Sequence, residues 1–204
     1  MENKTVLITG ATSGIGRATA QKMSDAGARL ILCGRRKEIL EAFAATLSTP
    51  VHVLVFDVAD KTAVFKAIEG LPPVFQAIDL LINNAGNAHG FDPVQTASLD
   101  DWDAMIDSNV KGLMYVTKAV LPQMVDRKSG HIINLGSIAG KEVYPKGSVY
   151  CSSKFAVDAF SQGLRIDLNP FGIRVGTIHP GMVHTEFSKV RFKGDTSRAE
   201  AVYE

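Results

Sequence analysis

A serine, a tyrosine and a lysine stand at a spacing that can move a proton. Ser137 lies in NLGSIAG, Tyr150 follows thirteen residues later, and Lys154 is four beyond it in VYCSSK. The segment from 149 onward has helical periodicity, so Tyr150 and Lys154 fall on one face. A free phenol titrates near ~10, and a cation beside it favours the phenolate. Lys154 is therefore expected to lower the Tyr150 pKa, so that the phenol can take a proton from an alcohol and return it to a carbonyl. Ser137, just after a strand-like run, can meet the same oxygen. The bland alternative is an ordinary Tyr–Lys pair on a helix surface. The chemical reading needs a partner for the hydride, and so a nucleotide site elsewhere in the chain.

The elements that must position these residues alternate regularly. Apolar, β-branched runs at 5–9, 29–33, 51–56, 78–83, 131–136 and 173–178 read as six strands. Most are apolar on both faces, as in a parallel sheet covered on two sides. Helical patterns at 15–26, 36–47, 60–69, 100–125 and 149–168 separate them. The alternation predicts a doubly wound α/β sheet in one domain, 1–204, with right-handed crossovers. Pro122 is expected to kink or end the fourth long helix. The least regular stretch, 181–204, reads as a lid over a site.

The first strand runs into TGATSGIG, residues 9–16, with glycines at Gly10, Gly14 and Gly16. A glycine turn into a helix lets backbone approach a pyrophosphate, which the helix N-terminus then favours. Gly10, Ala11, Thr12, Ser13, Gly14, Ile15 and Gly16 are the candidates, although the spacing is not the common G-x-G-x-x-G and an ordinary tight turn would look similar. At the end of the second strand, Gly34 stands where an acid would bind the ribose of NAD, and Arg35 and Arg36 follow. Two guanidinium groups suit a 2′-phosphate, so the expected cofactor is NADP. Asp57, followed by Val58, can accept a bond from an adenine amine or cap a helix. Asn83 and Asn84, with Ala85 and Gly86, can tie the sheet end together or face the cofactor.

Composition excludes several classes. The 204 residues carry a net charge of +1, so nothing global points to nucleic acid or an anionic membrane. No apolar run reaches the roughly 18 residues of a membrane span. The start lacks the pattern of a secretory signal, which places the expected protein in the cytoplasm. Two cysteines suggest no disulfide framework, and no ligand spacing suggests a metal. Among the histidines, His52 and His89 lack a partner pattern, His131 reads as structural, and His179 precedes Pro180 at a strand end. Tyr144 can line a pocket or be a plain loop aromatic.

Taken together, TGATSGIG, Asp57, NNAG, Asn109 in SNVKG, Ser137, YCSSK and HPGMVHTEF resemble the short-chain dehydrogenase/reductase family. The matches run in order over nearly the whole chain. The resemblance implies a Rossmann-like, doubly wound parallel sheet in three layers. It lacks the last strand and helix usual in the family. The resemblance also implies a catalytic set of Ser137, Tyr150 and Lys154 completed by Asn109, with Lys154 also on the nicotinamide ribose. Pro180, Gly181, Val183 and Thr185 are implied at the nicotinamide end. Further stretches, above all TEFSKVRFKGD, are similar to the NADP-dependent 3-hydroxy acid dehydrogenases, also described as serine or L-allo-threonine dehydrogenases. This implies hydride transfer at C3 of a small 3-hydroxy acid by a homo-oligomer, a tetramer or dimer. A reductase for another ketone, a quinone or a sugar is the near alternative. A catalytically silent NADP-binding protein is the distant one. A hydroxy acid needs a cation at its carboxylate, and Arg191 is the candidate, with Lys189 and Lys193 on the same face if the segment is extended.

Overall fold

In the computed structural model, which describes residues 1–200, six parallel strands form one sheet in the order β3-β2-β1-β4-β5-β6. They are β1 Thr5–Thr9, β2 Arg29–Gly34, β3 Val51–Val55, β4 Leu80–Asn83, β5 Gly130–Leu135 and β6 Ile173–Ile178. The expected runs agree with these to within two residues. Side chains alternate across a strand, and both faces of this sheet are apolar. Leu7, Ile31, Leu81, Ile132 and Val175 face one layer, where Val116, Val120 and Met124 meet Leu164 and Leu168. Val6, Ile8, Leu30, Leu32 and Ile82 face the other, against Ala20, Leu40 and Phe43. The result is a single three-layer, Rossmann-like α/β domain.

The helices are α1 Gly14–Asp25, α2 Lys37–Ala44, α3 Lys61–Glu69, a short α4 Pro73–Gln76, α5 Leu99–Ile106, α6 Leu113–Asp126, α7 Ser148–Leu168, α8 Phe187–Arg191 and α9 Thr196–Glu200. The expected helix over 100–125 is interrupted, but not at proline. A π-turn, Asp107–Gly112, separates α5 from α6, and α6 continues through Pro122 to Asp126. Pro122 and Lys118, whose carbonyl loses its amide partner, both lie on the exposed side. Water can serve that carbonyl while Val116, Val120 and Met124 hold the opposite face in the core. The expected irregular lid contains α8 and α9; residues 201–204 of that stretch lie outside the described ones.

Chain order reverses between β1 and β4, which opens a crevice at the carboxyl ends of these strands. A buried polar chain crosses the sheet nearby. The Asn83 amide donates to Thr117 Oγ1 and Asn134 Oδ1, both at 2.9 Å, and the Asn134 amide donates to Ser161 Oγ at 2.8 Å. It ties β4 and β5 to α6 and α7. Among the described residues no helix is long and apolar enough to cross a membrane, and no three His, Cys, Asp or Glu side chains form a metal-holding group. We predict that Asn134→Ala costs about 2–4 kcal/mol, because it strands polar groups in the core. Urea unfolding checks this; a loss below about 1 kcal/mol would show that the layers do not depend on the chain.

Candidate active site

The crevice is a cleft of about 800 Å³. Its floor is the β1–α1 turn. Gly10 and Gly14 have φ of +66° and +53°, and a Cβ on Gly10 would sit 2.9 Å from Ala85 Cα. Gly10, Thr12, Ser13, Gly14 and Ile15 line the cleft. Ala11 and Gly16 are not among its lining residues. Ala11 is fully buried and donates its N–H to the Cys33 carbonyl at 3.1 Å. Gly16 packs α1 onto the sheet, where any Cβ would collide with the Asn84 amide and the Gly10 carbonyl.

Asn84, Ala85 and Gly86 form the adjacent wall. The Asn84 amide donates to the carbonyls of Thr9 at 2.8 Å and Gly10 at 3.1 Å. Its side chain is thus spent on shaping the glycine turn, and Asn83 is buried in the polar chain described above. Both asparagines tie the sheet end together.

The two arginines line the same cleft. Arg36 donates to Thr12 Oγ1 at 2.8 Å and pairs with Glu186 at 3.0 Å. Arg35 pairs with Asp57 at 3.3 Å. Asp57 Oδ1 accepts the Ala59 N–H, whereas the N-cap of α3 is Asp60, which accepts the Ala63 N–H at 3.0 Å. The capping alternative for Asp57 is therefore overturned. Val58 also lines the cleft, as do Pro180, Gly181, Val183 and Thr185 on the opposite lip. Thr185 lies directly over Gly14, 3.2 Å from where its Cβ would be.

Ser137, Tyr150 and Lys154 all line the cleft. Ser137 follows β5 and its Oγ accepts the Ala139 N–H at 3.1 Å, capping a 3₁₀ turn, Ile138–Gly140. Tyr150 and Lys154 project from α7 and are 9% and 7% exposed. Lys154 Nζ donates to the Leu135 carbonyl at 2.9 Å and lies 5.9 Å from the Tyr150 ring centre. The expected lowering of the phenol pKa is not found. Burial pushes Tyr150 up to about 12, with the Ser137 hydroxyl working the other way. Burial likewise pulls Lys154 down to about 8. Desolvation disfavours each charged form, and at this distance it outweighs their coupling.

Asn109 stands in the π-turn behind this group, 1% exposed and away from the cleft surface. Its Oδ1 accepts the Asn87 N–H at 2.7 Å, and its amide donates to the Asn87 carbonyl and to Ser153 Oγ at 2.8 and 3.0 Å. It fastens the strand-end loop to α7.

Arg191 closes the cleft from above. It donates Nε–H to the Gly90 carbonyl at 3.3 Å, and its guanidinium lies 4.7, 5.4 and 5.7 Å from the rings of Phe91, Tyr144 and Tyr150. The extended geometry expected for 189–193 is replaced by α8 and a turn. Lys193 is turned away to Asp101 at 3.0 Å. Sequence reasoning left Tyr144 undecided and missed Phe91 and Phe187, which pack beside Tyr150 or Arg191. Single aromatics in loops carry no periodic signal. The Tyr144 hydroxyl is buried beside the Arg191 guanidinium.

A buried ammonium held at about 8 binds fewer protons than its unfolded counterpart between about 8 and 10.5. Below 8 the full cost of charging it weighs on the fold, on the order of 3 kcal/mol, and the cost vanishes as pH rises through 10.5. Lys154→Met should therefore melt no lower than wild type at pH ~7, with its advantage shrinking between pH ~8 and ~10.5. Calorimetry across that range checks the sign; a variant that loses stability at neutral pH would contradict it.

The sequence pattern of the short chain dehydrogenases matches residues 4–196. The chain is 46% identical over 200 residues to NADP-dependent 3-hydroxy acid dehydrogenase YdfG of Escherichia coli K12, covering 98% of this chain and 81% of that protein. It is 49% identical over 201 residues to sulfoacetaldehyde reductase 2 of Chromohalobacter salexigens, covering 97% and 80%. Among solved structures, the closed form of serine dehydrogenase complexed with NADP+ superposes with a TM-score of 0.96 at 45% identity, over 98% of this chain and 81% of that one. The glycine turn, the two-sided parallel sheet and the Ser–Tyr–Lys group thus belong to a chain that is a member of the short-chain dehydrogenase family.

Proposed function

We propose that this protein is an NADP-dependent oxidoreductase acting at C3 of a small 3-hydroxy acid of the serine, L-allo-threonine, 3-hydroxypropionate or 3-hydroxyisobutyrate type. The observation that carries this reading is the convergence of Ser137, Tyr150 and Lys154 under the Arg191 guanidinium in one cleft. The cleft also fits the cofactor. Its floor is a left-handed glycine turn that only a residue without Cβ can form against Ala85, and Arg35 and Arg36 line the same cleft. The names of the relatives support both halves of the proposal.

Ser137 orients the reacting oxygen, and Tyr150 exchanges a proton with it. NADP, when bound, supplies or accepts the hydride. With its pKa at about 12, the phenol is protonated at neutral pH and ready to donate to a carbonyl. Acting as a base on an alcohol requires the proton to leave first, so oxidation gains with rising pH. Lys154 supplies positive charge to the cleft below pH 8 and, through Leu135, holds α7 at the end of β5. Asn109 braces this helix from behind. Arg191 holds the acid group, and the Tyr144 hydroxyl can add a second donor. A sulfonate aldehyde is the second reading, because a guanidinium among aromatic rings accepts either oxyanion and one relative carries that name.

A panel of 3-hydroxy acids, a sulfonate alcohol and uncharged alcohols, followed by NADPH absorbance with NADH alongside, tests the proposal. Turnover of neutral alcohols alone, or equal use of NADH, would reject it. Tyr150→Phe should keep NADPH affinity and lose about 10²–10⁴-fold in kcat; a kcat near wild type would remove the phenol from the mechanism. Arg191→Ala should raise KM for the acid by at least about tenfold, the effect of one lost charge-assisted contact, with little change for a neutral alcohol of similar size. Equal losses on both would assign Arg191 to lid folding.

A further inference from the structure

His179 lies between a backbone carbonyl and a carboxylate. Nδ1 lies 3.1 Å from the Ser137 carbonyl oxygen, and Nε2 lies 3.4 Å from Asp158 Oδ1. The ring fills the space over Gly136, where a Cβ would sit 2.7 Å from Nδ1. A carbonyl can only accept, so Nδ1 must carry a proton for that bond to exist. A neutral ring then presents a bare Nε2 to a carboxylate. The other neutral tautomer turns a lone pair on the Ser137 carbonyl. The imidazolium keeps the Ser137 bond and places its positive charge at ion-pair distance from Asp158.

The two acceptors belong to different parts of the catalytic group. Asp158 sits on α7, one turn beyond Lys154 and two beyond Tyr150. Its carboxylate also accepts from Lys141 at 2.7 Å, at the far end of the Ser137 turn, and from Gln162 at 2.9 Å. The Lys141 bond, more than any other contact, holds the Asp158 carboxyl below the usual carboxylate range. Backbone bonds from Gly136 N–H to Ile178 and from Ile138 N–H to Pro180 fasten the turn to the β6 end on either side of His179. His179 and Lys141 thus both link the serine turn to the tyrosine helix through Asp158. The charged groups facing it are Asp158 and Lys141.

We propose that His179, paired with Asp158, is a positioning residue that sets Ser137 against Tyr150 and does so best as the imidazolium. The charged ring draws the Ser137 backbone and α7 toward one point, and the neutral ring releases one of them. The catalytic arm of the test rests on the proposed hydroxy-acid activity; a spectroscopic arm does not.

In the spectroscopic arm, ¹⁵N-histidine spectra of the full chain with NADP+ present are recorded against pH, with His179→Gln assigning the signal among the five histidines. The expected result is an Nδ1–H in the wild-type ring and an Nε2 signal that changes in Asp158→Asn. An Nε2–H tautomer of the neutral ring, or no shift in that variant, would overturn the proposal whatever the substrate proves to be. In the catalytic arm, kcat for L-serine and 3-hydroxypropionate is measured with NADP+ between about pH 6 and 9. His179→Gln should retain NADPH affinity and melting temperature but lose about tenfold in kcat where the imidazole is charged. The ratio of wild-type to variant kcat should shrink as pH rises. Asp158→Asn should give a similar loss, and the double variant should be little worse than either single one. His179→Leu, which keeps no donor, should be worse than His179→Gln. A pH-independent ratio, or losses that multiply in the double variant, would show bulk structural support only. No turnover with either substrate in wild type would count against the proposed function and leave the tautomer result to decide this one.

Discussion

Everything in the cleft depends on how α7 is fastened to the end of β5. The central bond joins a buried ammonium, Lys154, to the Leu135 carbonyl. It is costly, since burial disfavours the charge, and the fold accepts the cost because the bond fixes both height and rotation of the helix. Three further polar contacts follow along α7. Ser153 meets Asn109, Asp158 meets Lys141 and His179, and Ser161 meets Asn134. Gly140 permits the closest approach, for a Cβ there would sit 2.7 Å from the Lys154 carbonyl oxygen. Held at these four points, α7 keeps Tyr150 at a fixed place in the cleft.

The opposite lip is fastened in another way. Its ion pairs, Arg36–Glu186 and Lys193–Asp101, are largely exposed on at least one side, and Gly90 and Arg191 exchange two hydrogen bonds between them. Exposed pairs of this kind contribute little, about 0–1 kcal/mol each. The α7 side of the cleft is thus held by buried bonds, and the opposite lip by contacts that water can replace. Arg36 belongs to both worlds, since the guanidinium that suits a 2′-phosphate also pairs with the lid residue Glu186.

The sheet, its strands and the long helices were legible because their signals are periodic. Runs such as TVLIT and RLILC are apolar on both faces, and a parallel sheet buries both. The fourth long helix shows the limit of that reading. Pro122 looked like its breaker, yet exposure of Lys118 and Pro122 made the missing bond harmless, and the true interruption lies at Asp107–Gly112. No local rule marks this π-turn, which carries Asn109 and its bonds to Asn87 and Ser153.

The sequence by itself determined the chemistry on offer: a glycine turn, two arginines without a competing acid, and a serine, tyrosine and lysine in order. Spacing along one chain was enough for these, since each motif is local to a strand end or a helix face. The tertiary structure decided which of those residues face the cleft and in what state. It turned Ala11 and Gly16 into packing, gave the cap of α3 to Asp60, and put Arg191 among three rings. It also raised the Tyr150 pKa where local spacing predicted a fall, and it made a partner of His179, forty-two residues from Ser137. Desolvation and long-range contact depend on what the rest of the chain packs around a group, and no window of neighbouring residues contains that information.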